Sequence, residues 1–456
     1  MKKTLLSFSF LCASLFGSFQ AAAQDPYTLT VFDQAVYYGM YQATVDEPVP
    51  AGAIRNSNSS YGKKLTDEQL ASFGNTLTMT VTLNPLCDNY DRIGNVNLAF
   101  VPKGQETYVY NEVSRIELGR FITPFMDMHE EPSAVPYVFE IDNVAQIFHD
   151  ETITSVYDLW VELEVYGYQG GPGQGGAAVE IPGCAGRSDV YMGSLEFVSE
   201  VDPEIDEVPN FMLPMSYKYE LKNYTLEGTD VLGETMRTIR FVVEEPIPNA
   251  KFHLITSNHG SNQNGEEYNR RNHFIYLDNA QILMYKPGGL SCEPFRQYNT
   301  QGNGIYGPNP RTPAQWASFN NWCPGDKIPV RVIELGDLAA GEHSYKIDVP
   351  DAVFPQGQGY FPMSLYLQGD SGSAVLDVVS DFSIAKFSIF PNPASSIATI
   401  NSQETVQAVE VYDMLGKKVW AGVTNTVDMS KLQNGIYIVK VKFEGGKTAT
   451  QKLVKN

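Results

Sequence analysis

The eight residues Thr76–Leu83, TLTMTVTL, alternate hydroxylated and apolar side chains without a break. A period of two places Leu77, Met79, Val81 and Leu83 on one face of an extended strand and the threonines on the other; a helix would scatter them. LWVELEVY repeats the pattern from Leu159 to Tyr166, so Leu159, Val161, Leu163 and Val165 face a core. Trp160, Glu162, Glu164 and Tyr166 then share the opposite, polar face. Shorter runs predict strands at Ile93–Val101, Ile116–Ile122, Tyr137–Ile141, His273–Leu277, Tyr345–Val349 and Met363–Leu367. Many short strands with few helical patterns between them specify an all-β chain of antiparallel sandwiches or barrels. The 26 tyrosines fit sheet surfaces, and they also fit carbohydrate, because a ring stacks on a sugar while its hydroxyl stays wet.

Length and composition shifts divide the chain. A basic start (Met1-Lys2-Lys3), an apolar run from Leu5 to Phe16 and the small residues Ala21–Ala23 predict a secretory leader over residues 1–23. No other apolar run is long enough for a membrane helix. The acidic stretch SEVDPEIDEVP, Ser199 to Pro209, reads as a solvated linker between blocks at 24–205 and 206–383. The glycine run GGPGQGG, Gly170 to Gly176, reads as a loop between strands. Residues 384–456 form a third unit. From Phe387 to Asn456 it carries eight lysines against five acidic residues, while the whole chain has a net charge of −21. That negative charge argues against nucleic acid or an anionic membrane as partner.

With Cys12 in the leader, four cysteines remain, an even number that predicts two disulfides with three possible pairings. Keeping each pair within one block selects Cys87–Cys184 and Cys292–Cys323. The chain has no CxxC and no HxxxH, hence no zinc signature, and no cofactor or metal is expected.

The densest polar stretch is SNHGSNQNGEEYNRRNH, Ser257 to His273, between two strand-like runs. A connection so polar is either a solvated loop or a site on a rigid scaffold. A second acidic segment, Cys87-Asp-Asn-Tyr-Asp-Arg92, lies far upstream. Asp91, Glu164 and Glu267 gain chemical meaning together only if the fold brings them to one cleft.

The tail resembles the type A C-terminal sorting domain of the type IX secretion system, through Pro391-Asn392-Pro393, VYDMLGKKV and NGIYIVKV (Asn434 to Val441) in order. The resemblance implies a small β-sandwich, type IX secretion machinery as partner, and delivery through the periplasm to the surface or medium. The two central blocks resemble the peptide-N-glycosidase F family, in CDNYDR (Cys87 to Arg92), GRFITP (Gly119 to Pro124), FEID (Phe139 to Asp142), GEEY (Gly265 to Tyr268) with Arg271 and His273, and WCPG (Trp322 to Gly325). That resemblance implies two adjacent eight-stranded antiparallel jelly-roll sandwiches with a cleft between them. It also implies amidase activity on the N-glycans of glycoproteins or glycopeptides. Carried over by position, Asp91, Glu267, Glu164 and Arg92 are the expected catalytic residues. Tyr90, Tyr268, Trp322, Arg271 and His259 are the expected substrate-binding ones.

Some family features are missing. The short disulfide before Asp91 is absent, the disulfide around Glu267 is replaced by Gly265 and Asn269, and a family arginine falls on Phe319 or Asn320. Tyr90 and Tyr268 stand where the family has tryptophans. These losses keep open a second reading, a glycan-binding or adhesion protein on the same fold without turnover. A copper monooxygenase on paired sandwiches is disfavoured by only six histidines and no His-x-His pair.

Overall fold

The computed structural model describes residues 25–456 apart from 172–174, 206–210, 319–320, 377–386, 403–404, 414–417 and 444–447. The expected leader, the last four residues of the expected linker (206–209) and the Phe319–Asn320 position lie outside the described residues.

The first block contains β1 (Tyr27–Tyr38), β2 (Ala53–Ser57), β3 (Ser60–Lys64), β4 (Thr78–Pro85), β5 (Ile93–Pro102), β6 (Ser114–Ile122), β7 (Val135–Glu140), β8 (Tyr157–Val165) and β9 (Asp189–Ser199). They form two antiparallel sheets, β1-β9-β4-β7 and β6-β5-β8-β3-β2. The alternating residues close the core as their period requires: Leu77, Met79, Val81 and Leu83 pack with Leu159, Val161, Leu163 and Val165, all at most 1% exposed. Gly119 is needed for this closure, since a Cβ there would stand 2.7 Å from the Phe139 ring.

The second block contains β10 (Phe211–Leu221), β11 (Met236–Glu245), β12 (Ile247–Thr256), β13 (His273–Leu277), β14 (Ala280–Tyr285), β15 (Lys327–Ile328), β16 (Arg331–Leu338), β17 (Gly341–Asp348), β18 (Phe361–Gly369) and β19 (Ser373–Leu376). Its sheets are β10-β18-β12-β16 and β14-β13-β17-β11-β19, around a separate core that includes Phe241, Phe252, Tyr345 and Phe361. The tail builds a third, smaller sandwich from a three-stranded and a four-stranded sheet. Both disulfides pair as expected, Cys87–Cys184 and Cys292–Cys323.

Two features join the large sandwiches. β15 leaves its own block and pairs antiparallel with β6, Lys327 opposite Phe121 and Ile328 opposite Arg120. The preceding WCPGD turn makes this possible. Gly325, at φ +97°, donates its N–H to the Ile122 carbonyl, and Ile122 donates back to Asp326.

The second feature is a buried polar layer. The outer face of β8 is polar, as its period predicts, yet Trp160, Glu162 and Glu164 are at most 2% exposed: Tyr108 and Tyr110 of the β5–β6 connection cover them, joined at Glu164 by Lys218 of β10. Charges removed from water must find partners at once. Glu162 accepts from Arg115 (3.1 Å), Tyr108 (2.6 Å) and Asn97 (3.1 Å), and Asn97 also donates to Tyr217 of β10 at 2.8 Å. Glu164 binds Tyr110 and Lys218. Lys218 sits at a bulge of β10 with φ of +42°, a left-handed conformation unusual for a lysine. Arg120 is fully buried. Its guanidinium grips both oxygens of Glu117 (2.8 and 2.7 Å) and donates across the interface to Ser257 Oγ (2.9 Å) and the Pro362 carbonyl (2.7 Å).

Removing Arg120 would leave Glu117 a buried, unpaired carboxylate. Arg120→Met should therefore destabilise the chain by about 3–5 kcal/mol in urea unfolding, with Glu117→Gln in the same chain restoring part of the loss. Equal loss in the single and double variants would show that packing, not charge, dominates there.

Candidate active site

Asp91 lies on the loop from β4 to β5, and almost every group of that loop is tied down. Cys87 bonds Cys184. Asp88, fully buried, accepts from the N–H groups of Tyr90 (2.9 Å) and Tyr168 (2.6 Å) and from Arg92 Nε (2.8 Å). Thr123 of the GRFITP segment accepts from the Arg92 N–H (2.7 Å) and donates to the Tyr90 carbonyl (2.9 Å), which Tyr191 also reaches at 2.9 Å. Asp91 is an exception. Its Oδ2 is buried and has no hydrogen-bond partner. Burial, and next the nearby charge of Glu267, lift its carboxyl to about 7 against the pull of Arg92.

Glu267 is presented by a single 3-10 turn, Glu266–Tyr268, in the stretch between β12 and β13. The adjacent carboxylates diverge. Glu266 turns into the fold, where Arg271 binds both its oxygens (2.9 Å each) and the Val353 N–H donates at 2.7 Å. Glu267 turns towards Asp91, and accepts from Tyr268 and the Gly260 N–H (3.3 Å). Burial raises its carboxyl too. The turn is held without the family disulfide. The Asn269 amide donates to the Gly265 carbonyl at 2.7 Å, at the two positions that replace the cysteines. The Asn321 amide donates to the carbonyls of Glu266 and Glu267, both at 2.8 Å.

Three adjoining recesses make one cleft between the sandwiches. The first, about 240 Å³, contains Asp91, Arg92 and Glu267 and is walled by Tyr41, Tyr166, His259, Trp322 and Tyr360. The second, about 430 Å³, again borders Asp91 and Glu267 and extends past Tyr90, Phe125 and Tyr268. The third, about 480 Å³, continues from those rings to Asn89, Glu180 and Gln301–Ile305. Trp322 is fixed by its Nε1–H to the Asn258 carbonyl (2.9 Å) and stacks on His259. His259 Nε2 lies 2.7 Å from Ser257 Oγ, which already accepts from Arg120. Burial and then the Arg120 charge push the His259 pKa down to about 3, so the ring is neutral near pH 7 and can accept from the Ser257 hydroxyl at Nε2.

Asp91, Arg92, Glu267, Tyr90, Tyr268, Trp322 and His259 thus meet at one cleft. Two expected residues do not line it. Arg271 is consumed by Glu266, because a carboxylate taken out of water next to it claims the guanidinium. Glu164 lies in the buried interface layer; burial alone would raise its carboxyl, but Lys218 holds it below the ordinary range. It reaches the cleft only indirectly, since Lys218 also donates to the Tyr166 hydroxyl at 2.9 Å. Sequence reasoning missed Asp88, whose place three residues before Asp91 on an Asx turn was the available signal, and Tyr360, for which no local pattern exists. Among the described residues no cluster of three or more His, Cys, Asp or Glu is arranged to hold a metal, and no helix is long and apolar enough to cross a membrane.

Comparison with known proteins gives three family matches: "Peptide-N-glycosidase F, N terminal" over residues 28–167, "Peptide-N-glycosidase F, C terminal" over 229–368, and "Secretion system C-terminal sorting domain" over 388–456. No curated protein matches. Among solved structures, one described as PNGF-II is similar with a TM-score of 0.56 at 19% identity, over 76% of this chain and 66% of that one. The chain thus spans just under two thirds of that relative's length. Recombinant peptide: N-glycanase F (PNGase F) is similar with a TM-score of 0.50 at 14% identity, over 77% of this chain and 99% of that one. The sorting domain marks the protein for type IX secretion to the cell surface or extracellular space. With both halves of the double sandwich matched in order, the chain belongs to the peptide-N-glycosidase F family.

Proposed function

We propose that this protein is an exported amidase that hydrolyses the glycosylated side-chain amide of asparagine in N-linked glycoproteins or glycopeptides. The observation that carries this reading is the buried, unpartnered Oδ2 of Asp91 in the cavity it shares with Glu267. A carboxylate titrating near neutrality is matched to general-base work. Asp91 takes a proton from water as the water oxygen attacks the amide carbon, and the carbonyl electrons move to oxygen. Arg92, held by Asp88, sets a positive charge beside that developing oxyanion. On collapse the C–N bond breaks and the proton held by Asp91 passes to the leaving nitrogen. The products are an aspartate in the peptide and a glycosylamine, which loses ammonia in water. Glu267 keeps Asp91 basic and offers an acceptor to a sugar hydroxyl or acetamido N–H. Glu164 acts at one remove, setting Lys218 and through it the Tyr166 hydroxyl. Ring faces at Tyr166, Trp322 and Tyr360 suit the first sugar.

Incubation with a denatured N-glycoprotein, followed by mass spectrometry, should detect released glycan together with the asparagine-to-aspartate mass change. Asp91→Asn should lower turnover by about 10²–10⁴-fold. Retained binding of the glycopeptide without any product would support the binding-protein reading instead. Sugar loss without the asparagine change would place the cleaved bond between sugars.

Because the base must be ionised, kcat/KM should rise with pH and level off above about 7. A profile flat through neutrality contradicts this assignment. The same carboxyl affects stability. Its folded value lies above its ordinary 3.8, so the folded chain holds a proton that the unfolded chain releases, and stability from this group declines as pH rises to about 7. Asp91→Asn should therefore raise Tm above about pH 7 and lose that advantage below about pH 4, as followed by calorimetry. A variant with no pH-dependent difference from wild type would contradict it.

A further inference from the structure

The third recess of the cleft has no part in the scheme above, yet three observations show it built to hold something. Asn89, 1% exposed, donates through Nδ2 to Glu180 Oε2 at 2.8 Å. A carboxylate accepts only, which fixes the orientation of the amide and leaves Oδ1, in the lining of the recess, as a buried acceptor with no partner. Glu180 is itself held, accepting from Gln301 Nε2 (3.3 Å) and the Gly176 N–H (3.1 Å). The third observation concerns Gly302 and Gly304. Neither has the left-handed backbone that demands glycine, and a Cβ at either would meet nothing within 4 Å. The strip therefore leaves room for main chain to approach closely.

We propose that this recess is a peptide subsite, binding in extended form the polypeptide that flanks the glycosylated asparagine; the identity of the ligand rests on the amidase reading. The scissile amide joins a glycan to a peptide, so the two arms leading from Asp91 and Glu267 take different halves of the substrate. The ring-walled arm at Tyr41, Tyr166, Trp322 and Tyr360 provides faces for pyranoses. The other arm offers side-chain amides, a buried carbonyl acceptor and a glycine strip that main chain can approach closely, the means by which extended peptides are recognised. Asn89 stands two residues before Asp91 on the same tethered loop, which keeps the subsite in register with the reacting amide.

The test is calorimetric binding to the full chain carrying Asp91→Asn, with chitobiosyl-asparagine and with the same unit inside a short glycopeptide. The glycopeptide should bind about tenfold tighter or more. Gly302→Leu and Gly304→Leu should each erase that advantage, while Gly307→Leu, on the same loop but outside the recess and also with open space at its Cβ, should keep it. Equal affinity for the two probes overturns the proposal, as does absence of binding by both. So does an advantage that follows added sugars rather than added residues, because the arm would then belong to the glycan. The amidase reading is scored separately, by release from the wild-type chain. Peptide-dependent affinity without release would retain the subsite and remove the hydrolase.

Discussion

Burying Arg120 completely obliges both sandwiches to close around it. Glu117 neutralises its charge from the same strand, while Ser257 and Pro362 receive its remaining N–H groups from the other sandwich. The pair is meaningful only in the docked arrangement: separate the sandwiches and the cation loses two of its partners to solvent. Ser257 then passes the constraint to His259, and His259 to Trp322, on the wall of the cleft. The interface that joins the domains also shapes the site.

The same geometry accounts for the unusual carboxyl. Asp91 and Glu267 come from different sandwiches, each on a loop stiffened at its ends, one by a disulfide and the Asp88 hub, the other by the Asn269 and Asn321 amides. Rigid loops hold two carboxylates at a separation that mobile ones would increase. Burial, and then repulsion from Glu267, keep Asp91 protonated until near neutrality. A long-range disulfide and side-chain amides do this tethering.

Much of this was legible in the sequence. The period-two runs placed β4, β5, β8 and β13 within a residue or two, and confining each cysteine pair to one block gave the right disulfides. The limits are physical. Alternation shows that Glu162 and Glu164 share a face, but not that Tyr108, Tyr110 and Lys218 cover it, because burial by a distant segment leaves no local trace. Glu266 and Glu267 are equivalent as letters, and only the 3-10 turn sends one to Arg271 and the other to Asp91. Ser199 and Asp202, placed in a solvated linker, are held at Thr76 and Asn75, so that linker begins later than its composition implied. Convergence of Asp91 with Glu267 came through resemblance; the spacing of 176 positions between them carries no such information.

On the amidase reading proposed above, docking of the two sandwiches makes Asp91 a base for neutral pH. This is tested most directly by carbon-13 NMR titration of the aspartate side-chain carboxyls, with the Asp91 signal assigned by its loss in Asp91→Asn. The expected midpoint is about 7, moving down when Glu267→Gln removes the neighbouring charge. A midpoint near the ordinary 3.8, indifferent to Glu267, would contradict it.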